Sequence, residues 1–137
     1  MEYLNVKLNN MTFVNNNADY YKDNINLSTN VDFLNIEKNN DIVSIPVTIK
    51  MIGATKEQYE KLQNKDEMDS IFDVLFIINI VYSVTYDNII DYNFESKEMK
   101  LQTIEIMRPY IEETISYLSN KLNLPKLPFP RNEDIIK

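Results

Sequence analysis

Carboxylates are the side chains in this sequence with the makings of catalysis. There is no histidine and no cysteine, which removes imidazole bases, thiol nucleophiles, disulfides and every zinc site built on either residue. An enzyme on this chain would rest on carboxylates, hydroxyls, lysines or an oxygen-ligated metal. Two acidic clusters are candidates, Glu112-Glu113 and Asp66-Glu67-Asp69. Adjacent positions on a helix diverge by about a hundred degrees, so Glu112 and Glu113 do not converge on one atom. The second cluster lacks the glycine and the ligand ladder of a calcium loop. Both read as solvated charge. The expectation is a binding protein and not an enzyme, with no catalytic residue, cofactor or metal.

Charge narrows the class of partner. Asp and Glu number 21 against 14 Lys and Arg, a net charge of −7 with a pI near 4.6. Arg108 and Arg131 alone offer the bidentate fork that suits phosphate and base edges. Nucleic acid is therefore not an expected partner. No apolar run reaches the roughly 20 residues of a membrane span, and the first residues, Met1-Glu2-Tyr3-Leu4-Asn5, lack the basic and apolar regions of a signal peptide. A cytoplasmic protein without membrane insertion is expected, and the sequons at Asn10 and Asn26 read as chance matches. With 137 residues, 44% of them hydrophobic, the chain has room for one domain, 1–137, with a real core.

The elements that would position any site follow from periodicity. Tyr3 to Val14 alternates through Leu4, Val6 and Leu8, then resumes out of phase at Met11 and Phe13, which predicts a bulge near Asn9-Asn10. Ile25, Leu27, Thr29, Val31 and Phe33 form one face of a half-buried second strand. A turn over Glu37 to Asp41 then leads into a third, with Val43, Ile45, Val47 and Ile49 inward and Pro46 in the other register. Gly53 ends it, and 54–69 is a charged insertion with a short helix from about Lys56 to Gln63. The fourth strand, about Ile71 to Thr85, carries apolar residues on both faces, with Leu75, Ile77 and Val81 on the second. Too few helices remain to cover that second face, so another subunit is expected there, with those three residues at the oligomer interface.

Helical spacing takes over with Met99, Leu101, Ile104 and Met107. Pro109 marks a kink or the first turn of a second helix, along which Ile111, Ile115, Leu118 and Leu122 make one apolar stripe. Asn123 can cap it, and the proline-punctuated tail from Leu124 to Pro130 must run extended. The expected fold class is α+β, a four-stranded antiparallel sheet with a crossover after its first strand, followed by two C-terminal helices.

That order of elements resembles the SecB family of export chaperones over nearly the whole chain. The most specific pieces are Arg108-Pro109-Tyr110 with the following Ile111-Glu112-Glu113-Thr114-Ile115, similar to the family's Pro-Tyr entry into its final helix, and Leu122-Asn123-Leu124-Pro125-Lys126-Leu127, similar to the helix exit. Val81-Tyr82-Ser83-Val84 is similar to the end of the family's fourth strand. The resemblance implies a homotetramer, a dimer of dimers, that holds unfolded or partly folded polypeptides in apolar grooves without ATP. It puts forward Phe13, Tyr20, Tyr21, Phe33, Leu124, Leu127 and Phe129 as client contacts. The acidic positions by which the family docks its export motor ATPase fall at Asn10, Val14 and Leu75, none of them acidic here. Coupling to that motor is therefore weakened. A dedicated interaction or inhibitor protein on the same fold, antitoxin-linked or phage-encoded, stands as the alternative.

Overall fold

The phase slip in the first strand is repaired by a bulge, and the sheet is built on that repair. The computed structural model describes residues 3–16, 25–39, 41–64, 74–87, 93–121, 123–124 and 127–135. The elements are β1 (Tyr3–Asn15), β2 (Asn26–Phe33), β3 (Glu37–Asn39), β4 (Ile42–Ala54), α1 (Lys56–Asn64), β5 (Phe76–Asp87), α2 (Lys97–Lys121) and α3 (Asn132–Ile135). The sheet is antiparallel, in the order β1-β5-β4-β2, so the chain crosses from one edge to the other after β1. Along β1, Leu8 faces Tyr82 and Asn10 faces Val81, with the register shift between them. Val6 and Leu8 thus lie on the same side as Met11 and Phe13, where strict alternation would have sent the second pair to the opposite side.

Register sorts the central strands into two faces. Val43, Ile45, Val47, Ile49 and Met51 of β4 stand opposite Tyr86, Val84, Tyr82, Ile80 and Ile78 of β5, and all ten are buried. Against them α2 packs Met99, Met107, Ile111, Ile115 and Leu118, all buried in turn. Two buried tyrosines fix where the helix sits. Tyr86 Oη shares a 2.8 Å hydrogen bond with Thr103 Oγ1. Tyr82 Oη donates to the Tyr110 carbonyl at 3.0 Å and also pairs with the Thr114 hydroxyl.

The other face differs from what the sequence suggested. Ile77, Asn79, Val81, Ser83 and Thr85 alternate there with the buried set, so the second face of β5 mixes apolar Ile77 and Val81 with three polar residues. That apolar end is covered from within the chain: Tyr59 of α1 and Ile52 pack with Ala54, Val74 and Ile77. The charged insertion thus caps one end of the sheet. Its helix starts in a reciprocal capping box, with Thr55 Oγ1 accepting from the Gln58 amide at 3.2 Å and Gln58 Oε1 accepting from the Thr55 amide at 3.0 Å. A second subunit is not needed to cover Ile77.

Three boundaries also move. The expected turn over Glu37 to Asp41 contains β3, which pairs with the first residues of β4 beside β2 on the same edge. Val74 and Leu75 form a bend before β5, and residues 71–73 lie outside the described ones. The two expected C-terminal helices are a single α2 running through Pro109, followed by the short α3. Pro109 deprives the Glu105 carbonyl of its helical donor, but both residues are exposed, so water can satisfy that carbonyl and the helix continues.

Two outcomes check this packing. A Cβ on Gly53 would stand 2.0 Å from the buried Phe76 ring, so Gly53→Ala should cost on the order of 2–3 kcal/mol by overpacking, read as a lower urea midpoint. An unchanged midpoint would contradict the register of β4 on β5. Burial pushes the Tyr86 hydroxyl above its ordinary value of 10.0, against the smaller downward pull of its hydrogen bond to Thr103. Its stabilising contribution is whole below the unfolded value and is lost as pH climbs through the raised folded one. Tyr86→Phe should therefore cost about 1 kcal/mol at neutral pH and flatten the loss of stability above pH 10.0; an equally steep loss would contradict it.

Candidate functional site

Among the described residues one long helix, α2, lies over a face four strands wide, and it covers the middle. On the β1 flank, Leu8 and Phe13 are on the helix side of the sheet but remain 43% and 44% exposed. On the helix, Tyr110 and Tyr117 are 43% and 54% exposed, and their spacing of seven puts them on one side of it. Tyr82 links these groups: Leu8 is its partner in register, and its hydroxyl bonds the Tyr110 carbonyl. Apolar strand and aromatic helix side chains therefore border a common strip whose floor is Tyr82. Burial raises the pKa of that floor hydroxyl, the hydrogen bond to Thr114 lowers it and the nearby Glu113 carboxylate raises it. The net shift is upward, so Tyr82 stays neutral and the strip carries no charge from it.

The β2 flank is built differently. Leu27, Val31 and Phe33 are half-buried there and pack on the core, while Leu34 beyond the strand end is 46% exposed. A shallow cleft of about 290 Å³ opens between Phe33, Leu34, Ile36, Ile45, Phe94 and Lys100. The Lys100 ammonium sits 5.5 Å from the centre of the Phe33 ring, a cation–π contact on its wall. No group of three or more acidic, His or Cys side chains able to hold a metal occurs among the described residues. The β1 flank presents neutral apolar side chains, whereas the β2 cleft also carries Asn35, Glu95 and Lys100 on its walls.

The residues singled out from the sequence do not gather on one surface. Phe13 is on the β1 flank and Phe33 on the β2 flank, opposite edges of the sheet, three strand spacings or roughly 14 Å apart. Leu124 and Leu127 are 7% and 9% exposed, buried in the chain's own core, and Phe129 is half-buried against it. Tyr20 and Tyr21 lie outside the described residues. Of the expected interface set, Leu75 and Ile77 are buried within the chain and Val81 is half-buried, so the first two have almost no area left for a partner. Leu8, Leu34, Tyr110 and Tyr117 were not singled out. The heptad spacing of the two tyrosines, on the polar side of an amphipathic helix, was the signal for that pair.

No family model and no curated protein sequence matches the chain. Among solved structures, a protein of unknown function from Streptococcus agalactiae aligns over 95% of this chain and 96% of its own at 12% identity, with a TM-score of 0.47. The SecB-like chaperone Rv1957 of Mycobacterium tuberculosis, solved in complex with a ChAD peptide from the Rv1956 HigA1 antitoxin, aligns over 95% of this chain and 89% of its own. Identity there is 9% and the TM-score is 0.66. The crossover sheet, the long helix through Pro109 and that superposition agree: the chain has the SecB-like chaperone fold.

Proposed function

We propose that this chain is a holdase that needs no nucleotide, binding extended segments of non-native polypeptide on the apolar flanks of α2. The observation that carries the reading is the strip of Leu8, Phe13, Tyr110 and Tyr117, large apolar side chains 43–54% exposed along one helix and one strand of the same face. Aromatic and aliphatic side chains supply binding area without demanding a particular hydrogen-bond partner, which suits a varied set of extended clients. Among the described residues β1 is an edge strand of the sheet, and an edge strand can take an extended chain as a further strand. The fold supports the reading, since the mycobacterial neighbour binds a peptide. Binding of this kind requires no catalytic group, cofactor or membrane insertion, and no helix among the described residues is long and apolar enough to cross a membrane.

Assembly belongs to the same proposal. We infer a cytoplasmic oligomer, a dimer of dimers, with β1 and the tyrosine side of α2 shared between client contact and contact with a second copy. Of the expected interface set, half-buried Val81 keeps area for a second copy, while Leu75 and Ile77 are buried. Coupling to the export motor is not part of the reading. Asn10 and Val14 are exposed but uncharged and Leu75 is buried, so charge-based docking has no acidic side chain at those positions. This absence favours one second reading, a dedicated guardian of a single partner such as an antitoxin on the same fold.

Light scattering with a slowly refolding client separates these outcomes, reading mass and client aggregation together without nucleotide. The holdase predicts an oligomer that suppresses aggregation of several unrelated clients. An oligomer that ignores them all would leave the dedicated partner, and a monomer without suppression would overturn both. Phe13→Ser and Tyr117→Ser should each change the urea stability by less than about 1 kcal/mol while lowering suppression severalfold. Leu127→Ala, at a buried position, should instead cost about 2–4 kcal/mol of stability. A reversed pattern would place the working surface in the core and contradict the assignment.

A further inference from the structure

At the β2 flank three pieces of the chain enclose the cleft: the connection from β2 to β3, the start of β4, and the turn that leads into α2. The Leu34 amide donates to the Pro46 carbonyl at 2.9 Å, which holds the connection beside β4 after the β2 ladder ends at Phe33. Phe94 and Ile45, 4% and 2% exposed, make an apolar floor. Phe94 is fixed against the buried Tyr86 ring, with ring centres 5.8 Å apart. Beside Phe33, Leu34 and Lys100 the cleft holds about 290 Å³, and a second compartment of about 450 Å³ adjoins it beside Lys38 and Asn93. Asn35, Ile36, Phe94 and Glu95 line both, so the two compartments are neighbours in one trough.

Register fixes the charge of its rim. Lys38 stands opposite Val43 and Glu37 opposite Ser44. Paired residues share a side of the sheet, and Val43 belongs to the core under α2. Lys38 is therefore directed to the cleft and Glu37 to the other face. Lys100 reaches the cleft from the start of α2, with its ammonium 5.5 Å from the centre of the Phe33 ring. Arg108 and Arg131 each pair with a carboxylate, whereas among the described residues neither Lys38 nor Lys100 has an ion-pair partner. Against these two ammonium groups the lining sets one carboxylate, that of Glu95. The cleft is thus locally cationic in a chain whose net charge is −7.

We propose that this cleft selects its clients by charge, taking an extended polypeptide segment in which a large apolar side chain and a carboxylate stand two residues apart. In an extended chain such residues point to the same side, about 7 Å from one another, so both enter the trough together. The apolar side chain lies on Phe94 and Ile45 beside Phe33, and the carboxylate meets the free ammonium groups of Lys100 and Lys38. An apolar floor keeps water from one side of that pairing, which makes it stronger than the same pair on open surface. A basic segment would bring its cation against two others and is disfavoured by the same charges. The proposal rests on the holdase reading and names the class of client that this flank accepts.

The test uses the full chain and fluorescent peptides of one otherwise neutral sequence, carrying Phe-Ser-Asp, Phe-Ser-Asn or Phe-Ser-Lys at the centre. Wild type should bind the Asp peptide about fivefold more tightly than the Asn peptide, the weight of a partly screened ion pair, and the Lys peptide most weakly. Lys38→Gln combined with Lys100→Gln should bring the three affinities together while leaving that for the Asn peptide unchanged, which also shows that the variant folds. Equal affinity of wild type for the Asp and Asn peptides, or a preference that survives the double substitution, would overturn the proposal. The holdase reading would then stand if client aggregation is still suppressed. A fall in mass by light scattering on Leu34→Ser would assign the cleft to contact between copies and overturn the proposal as well. Failure of wild type both to bind any peptide and to suppress aggregation would overturn the two readings together.

Discussion

A helix is narrower than the sheet it covers here, and most of the surface follows from that mismatch. α2 with its side chains is about 10 Å across, while four strands spaced about 4.8 Å apart present a face wider than 14 Å. Burial over β4 and β5 is complete, and the apolar groups on β1 and β2 are left at the margins. A monomer with a second long helix would close those margins. Among the described residues outside the sheet and α2, α1 caps the start of β5 on the opposite face, and the C-terminal segment packs its apolar side chains into the core beside α2.

The β1 bulge is the second constraint. Without it, Met11 and Phe13 would face away from the helix and the strip beside Tyr110 and Tyr117 would lose half of its strand side. The bulge also directs Asn9 to the other face, where its Nδ2 donates to Ser83 Oγ at 3.1 Å. One extra residue thus supplies an apolar row on the helix side and a hydrogen bond that satisfies Ser83 on the polar side. The buried Tyr82 and Tyr86 hydroxyls do the complementary work between sheet and helix. Each finds a threonine on α2, so two fixed points set the position of the helix and with it the placement of Tyr110 and Tyr117.

Much of this was legible in the sequence because it depended on local period. The out-of-phase Leu8 and Met11 announced the bulge, and the clean alternation of 25–33 and 43–49 announced two strands of the sheet. The order of elements pointed to the fold that the superposition shows. Three-dimensional cover was not legible. The fourth strand looked apolar on both sides, but beyond Ile77 its second face alternates Val81 with Asn79, Ser83 and Thr85, and Tyr59 from an insertion that reads as solvated charge packs on the apolar end. The resemblance put Leu124 and Leu127 forward as client contacts, whereas both are buried in the chain's own core beside α2. Pro109 suggested a break, yet at an exposed position it lets one helix continue. Which tyrosines would stay exposed depended on the crossing of α2 over β5, a relation between distant parts of the chain that periodicity does not carry.

The central claim is that the uncovered flank of α2, and not the polar face of the sheet, meets unfolded polypeptide. The most direct test places a photoreactive side chain at Tyr117 on that flank, or at Thr48 on the open face, and adds a labelled, chemically unfolded client. The account predicts strong crosslinking from position 117 and background from position 48. Equal crosslinking at the two positions, or crosslinking from 48 alone, would contradict it.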